Sequence, residues 1–351
     1  MKKSFNLKDS ALAFLISLLG VLCASFIVLN IITTVSQSTG QDAIAVQNLN
    51  WVMYVNMFLS EIIFLIAFAV VCLISKTKNY LTVSKIKFKF NAKIFFATIL
   101  AALVTMFASV NMTALFNHIF SFISPVELTN SVGVPLNNFG QFLLVSLLLA
   151  VMPAICEELV FRGIIYNGFR RRYNVKISVI FSALLFALIH FSIYKTFYQL
   201  ILGVVLALLV YYTGTIFYSM VFHFVNNFTI ILVNYISQNG AALQFASWGV
   251  KEVLLTIIIF ALGVVAVWFF FSWLKKHSSK HKNYYGLDNT SKALDTYEKE
   301  EFENFNDGSP MNSYEQKLIS NEQSNSGVVL MLVSVFIALV LWSISSFGGF
   351  I

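Results

Sequence analysis

Charge is scarce in this sequence. Asp, Glu, Lys and Arg make up 11% of its 351 residues, against about 25% in a soluble domain. With 58% hydrophobic residues, the chain does not read as a soluble globule. Its net charge of +7 is not a nucleic-acid signal, because Lys and Arg cluster in loops beside apolar runs, where they orient a membrane protein. Alternation of apolar and polar residues is missing, which excludes a transmembrane barrel. Cysteine is equally sparse. Cys23, Cys72 and Cys156 all fall inside apolar runs without a C-x-x-C pairing, which excludes a disulfide framework and a thiolate zinc site. The H-E-x-x-H signature of soluble zinc proteases is missing too, and no internal repeat is visible.

What is present is a series of apolar runs, several longer than the ~18 residues that mark a membrane span. They predict an all-α, polytopic transmembrane helix bundle of eight to nine spans. The runs lie near 11–35, 51–75, 94–120, from Phe139 through the glutamates towards Arg170, then 177–194, 196–213, 216–236, 252–274 and 328–348. Lys2, Lys3 and Lys8 ahead of the first run imitate a signal peptide. That run continues to Val35, too long for a signal h-region, and reads as an uncleaved span. The loops 36–50 and 121–138 contain no Lys or Arg. Lys76, Lys78, Lys85, Lys87, Lys89 and Lys93 follow the second run, Arg170, Arg171 and Arg172 the fourth, and Lys275 and Lys276 the eighth. The positive-inside rule then places the N-terminus, 76–93, 170–176 and 275–327 in the cytoplasm. Nine spans put the C-terminus outside. The polar segment 276–327 reads as a flexible cytoplasmic linker.

Ionisable residues inside apolar runs need a reason, since each costs at least ~2.5–3.5 kcal/mol at a bilayer centre. Glu157, Glu158 and Arg162 end the run that begins at Phe139. Glu158 and Arg162 are four apart, on one helix face, and a guanidinium can give a carboxylate two hydrogen bonds. Glu157 is rotated by about 100° from Glu158, which leaves it to face a cavity. A carboxylate there suits a general base for water. The alternative is that both glutamates simply pair with basic groups in a helix bundle. His190 closes Phe186-Ala-Leu-Ile-His190, and His223 opens His223-Phe-Val-Asn-Asn227. Asn227 lies one turn beyond His223 on the same face. An imidazole can ligate a metal, move a proton or donate to an oxyanion. Each histidine, taken alone, equally suits a packing role.

Depth joins these residues. Glu157 and His190 both lie ~20 Å from the basic turn 170–176 at ~1.5 Å per residue, if both helices run unbroken to it. His223 and Asn227 lie roughly 10 and 17 Å into their span. One cytosolic cavity could hold all four. Pro153, one turn before Glu157, is placed to open the helix. Glu61 sits in the middle of the second run and reads as packing polarity, with no partner evident. His118 lies near the outer end of the third.

The motifs Glu157-Glu158-x-x-x-Arg162, Phe186-x-x-x-His190 and His223-x-x-x-Asn227, in that order, resemble the CPBP family. Its members are intramembrane proteases related to the CAAX prenyl endopeptidases and to bacteriocin-immunity "Abi" proteins. The resemblance covers about 139–236, with 1–138 as N-terminal spans, 237–275 as an additional span and 328–351 as a C-terminal span. It implies endoproteolysis of a membrane-embedded or membrane-associated protein or peptide, in a cell-membrane site open to the cytosol. Glu157 and His190 would activate water, and His223 and Asn227 would stabilise the oxyanion. Glu158 and Arg162 would support the site structurally. Glu157, His190 and His223 could instead supply the three ligands of a catalytic zinc. Two rival functions remain. A transporter would use Glu61, Glu157 and Glu158 as a proton path, but the repeats expected of one are not seen. A non-proteolytic scaffold or self-immunity protein of the same family is the other.

Overall fold

The computed structural model describes residues 5–75, 84–86, 90–122, 136–238, 249–282 and 326–347. Ten helices and no strand occur among them. They are α1 (Leu7–Thr39), α2 (Ala43–Gln47), α3 (Asn50–Ile74), α4 (Ala92–Ser121), the composite α5 (Phe139–Arg172), α6 (Val175–Leu188), α7 (Ile193–Thr213), α8 (Phe217–Gln238), α9 (Val250–Lys282) and α10 (Ser326–Phe347). All but α2 and α6 are long and apolar enough to span a membrane. Helices are what such runs must form, because lipid offers no partners for backbone N–H and C=O groups. The chain is a multi-pass, all-α membrane protein.

Polar residues at the ends of the apolar runs set the helix boundaries. Asn6 starts α1 in a capping box, accepting from Asp9 N at 3.0 Å while Asp9 accepts from Asn6 N at 2.9 Å. Asn91, Asn138 and Asn174 cap α4, α5 and α6 in the same sense. Gly214 ends α7 at φ 73°, the left-handed region a glycine occupies freely.

The helix count differs from nine full spans. The fifth apolar run is cut after Leu188, where α6 ends, and Phe191 takes φ 47° in the following turn. At 14 residues, α6 is about 21 Å long, short of a ~30 Å hydrocarbon core. The break contains neither Gly nor Pro, so hydropathy runs straight through it. α6 and α7 form a tight hairpin. A Cβ at Gly203 would lie 2.8 Å from the Ala183 backbone, so glycine permits this approach. At the far end, α9 continues past Lys275 and Lys276 to Lys282. The segment 283–325 and the basic-loop residues 76–83 and 87–89 lie outside the described residues.

The layers are graded from core to rim. In α5 and α7, 44% of the most apolar window is buried, against 11% in α9. α5 is therefore the central helix and α9 a lipid-facing one. α5 is flanked by α1, α3, α6 and α8. α10 packs on α1 and reaches the start of α7. There Ser346 Oγ accepts from Ile193 N at 3.1 Å, and Trp342 Nε1 donates to Thr196 Oγ1 at 2.7 Å. The first N–H of α7 has no side-chain cap of its own, so the last helix supplies it.

On the loop side, Ser84, Lys85 and Ile86 wedge against the bundle. The Lys85 carbonyl accepts from Ile216 N at 3.0 Å and Thr215 Oγ1 at 3.1 Å. Its ammonium sits over the Tyr166 ring, 5.6 Å from the centroid. Burial, and then the nearby Arg170 charge, lowers the Lys85 pKa from 10.5 to about 8. Between those values the unfolded chain binds more protons than the folded one, so stability rises with pH from about 8 towards 10.5. Lys85→Met should raise the thermal midpoint at pH 7 in detergent and flatten that rise, as read by differential scanning fluorimetry across the range.

Candidate active site

α5 is not a uniform helix. Its α-helical stretch Met152–Val160 is bracketed by two wider, π-helical turns, Leu147–Val151 and Phe161–Ile165. Pro153 follows the first. Proline lacks an N–H and crowds the carbonyl one turn back, which favours a widened turn. The donor that an α-helix would offer to the Leu149 carbonyl is the N–H of residue 153, and proline has none. Asn227 Nδ2 from α8 donates to that carbonyl instead, at 3.0 Å. The second π turn holds Arg162. Depth counted along an unbroken α-helix therefore does not apply to α5, and His190 lies in the turn just past α6.

Glu158 and Arg162 are in contact and fully buried, with Arg162 Nη1 donating to Glu158 Oε1 at 2.8 Å. The second arm of the guanidinium, Nη2, donates to the Gly203 carbonyl of α7 at 3.3 Å. Its plane lies 4.4 Å from the Phe186 ring centroid, a cation–π contact with α6. Glu158 does a second job that spacing does not reveal. Its Oε1 also meets His223 Nδ1 at 3.1 Å. With that nitrogen given to Glu158, His223 turns Nε2 towards Glu157, 3.8 Å from Oε2. The His223 ring stands edge-on to Phe186, 5.9 Å between centroids.

Glu157 differs from its neighbour. Both are buried and each has an Oε2 without a hydrogen-bond partner among the described residues, but Glu158 is engaged through Oε1 by two donors, whereas the contact made by Glu157 is the 3.8 Å one to His223 Nε2. His190 Nδ1 lies 2.8 Å from the Phe186 carbonyl. A carbonyl can only accept, so Nδ1 carries the proton and Nε2 keeps its lone pair. His190 is near enough to His223 and Arg162 to interact electrostatically. Asn227 follows His223 by one turn of the unbroken helix α8. Glu157, Glu158, Arg162, His223 and Asn227 thus gather between α5 and α8, and His190 approaches from the α6–α7 turn.

Residues outside the sequence motifs also reach this centre. Glu61 of α3 is buried, its Oε2 has no hydrogen-bond partner among the described residues, and it interacts electrostatically with Glu157 and Cys156. Its mid-span position was the one signal available in the sequence, and the helix it faces was not. Tyr198 and Asn226 carried no signal at all, and neither did the Gly203 carbonyl.

Residues 139–229 match the family model of Rce1-like type II CAAX prenyl endopeptidases. No curated protein and no solved structure matches the chain. The Rce1-like segment runs from the start of α5 into α8. It contains all six motif residues, and its family points to CAAX-type intramembrane protease activity.

Zinc is the cofactor to test against these residues. A catalytic zinc takes three protein ligands and keeps a fourth position open. Among the described residues no group of three His, Cys, Asp or Glu side chains is gathered to hold a metal. The Nδ1 atoms of both histidines are held by Phe186 and Glu158, which leaves each Nε2 as the atom open to a ligand. Glu157, His190 and His223 have ligand-competent atoms, but as placed they are not gathered into a three-ligand site.

The buried pair makes a stability prediction. Arg162→Ala leaves Glu158 without its main partner, and breaking a buried pair costs ~3–5 kcal/mol. Arg162→Lys should recover little of it, because one ammonium cannot reproduce a fork that serves both Glu158 and Gly203. Thermal unfolding in detergent should rank wild type well above Arg162→Lys, with Arg162→Ala lowest or unrecoverable.

Proposed function

We propose that this protein is an intramembrane endopeptidase that hydrolyses a peptide bond of a membrane-associated protein or peptide. One observation carries the reading: the two adjacent glutamates are used differently. Glu158 accepts through Oε1 from both Arg162 and His223, while the buried Glu157 carboxylate has no such donor among the described residues and faces the His223 ring with Oε2. A buried carboxylate without a donor is costly to keep, and general-base work on water gives it a use.

In this mechanism Glu157 takes a proton from water, oriented also by the His190 Nε2 lone pair. The water oxygen forms a bond to the scissile carbonyl carbon. The carbonyl electrons move to oxygen, and the oxyanion accepts from an Asn227 side-chain N–H and from Nε2–H of His223, which in this step is an imidazolium that also donates Nδ1–H to Glu158. Glu157 then passes its proton to the amide nitrogen. The C–N bond breaks, and a carboxyl and an amine terminus leave. Glu158 holds His223 through Nδ1 and is held by Arg162, so neither needs to touch substrate.

Glu157→Gln should lower turnover by at least ~10²-fold while the thermal midpoint stays close to that of wild type. Comparative membrane peptidomics of cells carrying wild type or Glu157→Ala would identify the substrate. Identical peptidomes would sink the protease reading and favour a non-proteolytic scaffold or immunity role.

Access from the cytosol is part of the proposal and rests on the positive-inside rule. With Cys23, Cys72 and Cys156 replaced by Ser, Gly40→Cys should react with an impermeant thiol reagent added outside intact cells. Thr290→Cys should react only after permeabilisation. Labelling of the latter in intact cells would reverse the orientation.

A further inference from the structure

Asn227 is an oxyanion donor only if its amide is held the right way round, with nitrogen rather than oxygen towards the substrate. A terminal amide turned by 180° would present an acceptor to the developing negative charge. The structure contains a hydrogen-bond chain that decides this orientation. Tyr198 Oη of α7 donates to Asn226 Oδ1 at 2.7 Å. Asn226 Nδ2 donates to Asn227 Oδ1 at 3.2 Å. Asn227 Nδ2 donates to the Leu149 carbonyl at 3.0 Å.

Each link has one sense. Leu149 contributes a carbonyl, which can only accept, so nitrogen must be the atom of Asn227 that faces it. That carbonyl is available because the residue four positions on is Pro153. The other end of the Asn227 amide is then oxygen, and it needs a donor, which Asn226 supplies through its own nitrogen. Asn226 must in turn point its oxygen away, and Tyr198 meets that oxygen with a hydroxyl proton. Asn226 is 1% exposed, so water does not compete for this link. Helical geometry explains why two consecutive asparagines serve different partners. They are about 100° apart around α8, so Asn226 turns to α7 while Asn227 turns to α5.

We propose that Tyr198 and Asn226 are positioning residues that lock the Asn227 amide with its second N–H free for the oxyanion. The amide nitrogen carries two N–H groups, and Leu149 takes one. The proposal rests on the protease reading above and adds to it a three-residue relay anchored on Pro153. The relay also connects the α6–α7 hairpin to the oxyanion site. Its anchor on α7 lies five residues after Ile193, whose N–H is bound by Ser346 of α10. The C-terminal helix thereby braces the element that carries Tyr198.

The test uses full-length protein in detergent. Its substrate is a synthetic peptide spanning the cleavage site found by comparing wild-type and Glu157→Ala membranes. Asn227→Ala should lower kcat by roughly 10²–10³-fold, the usual loss for one oxyanion donor. Tyr198→Phe, which removes one hydroxyl, should lower kcat on the order of tenfold with KM unchanged, because only a transition-state contact is lost. Asn226→Asp should behave similarly, since a carboxylate keeps the acceptor for Tyr198 and has no N–H for Asn227. The deciding readout is the double variant. If Tyr198 acts through Asn227, Tyr198→Phe should have no further effect on kcat in the Asn227→Ala background.

Equal losses in both backgrounds, or a change in KM alone, would overturn the proposal. If no Glu157-dependent cleavage exists, the protease reading fails and the oxyanion role fails with it. The hydrogen-bond chain is then judged by the same four proteins in thermal unfolding. Additive shifts would refute it, and coupled shifts would leave it standing as a structural relay.

Discussion

A buried charge pair is the constraint to which the rest of the bundle answers. Taking two ions out of water costs several kcal/mol per ion even after relaxation, and Coulomb attraction recovers this only with good geometry and further hydrogen bonds. Glu158 and Arg162 are both fully buried. Their remaining needs recruit one element after another. Arg162 takes a carbonyl from α7 and an aromatic face from α6, and Glu158 takes an imidazole from α8. Gly203 matters twice, because its missing side chain lets α7 approach Ala183 and its carbonyl receives Arg162. The ion pair of one helix thus sets where three others must be.

The same constraint separates two chemically identical neighbours. Glu157 and Glu158 are consecutive, yet a helix turns them by about 100°. One enters the polar network through Oε1, and the other is left facing the His223 ring without a donor of that kind. Backbone irregularity serves the arrangement. The π turns on either side of Met152–Val160 change the register of α5 just before and just after the glutamates. Pro153 leaves a carbonyl that Asn227 reaches from across the bundle. Wider turns of this kind occur often at functional sites because they re-aim side chains without ending the helix.

The fold was largely readable from hydropathy. Apolar runs near 51–75, 94–120 and 196–213 correspond to α3, α4 and α7 within a few residues, and asparagines mark where several helices begin. The fifth run misled because lipid-exposed helix and buried hairpin turn are equally apolar. Ile189, Phe191 and Ile193 lie in or beside the turn and are all buried, so composition holds no mark of the break. The long α5 appeared as one run for a related reason, since a π turn has no composition of its own.

Local spacing alone determined that Glu158 and Arg162 would meet and that His223 and Asn227 would share a face, because i,i+4 relations depend only on helix geometry. It also determined that Glu157 would point elsewhere. Contacts between helices are of another kind. That Glu158 would hold His223, that Glu61 would lie towards Glu157, and that Tyr198 would reach Asn226 depend on how separate helices pack. Those pairs are 65, 96 and 28 positions apart. At such separations no periodicity links one residue to the other, and only the packed bundle brings them together.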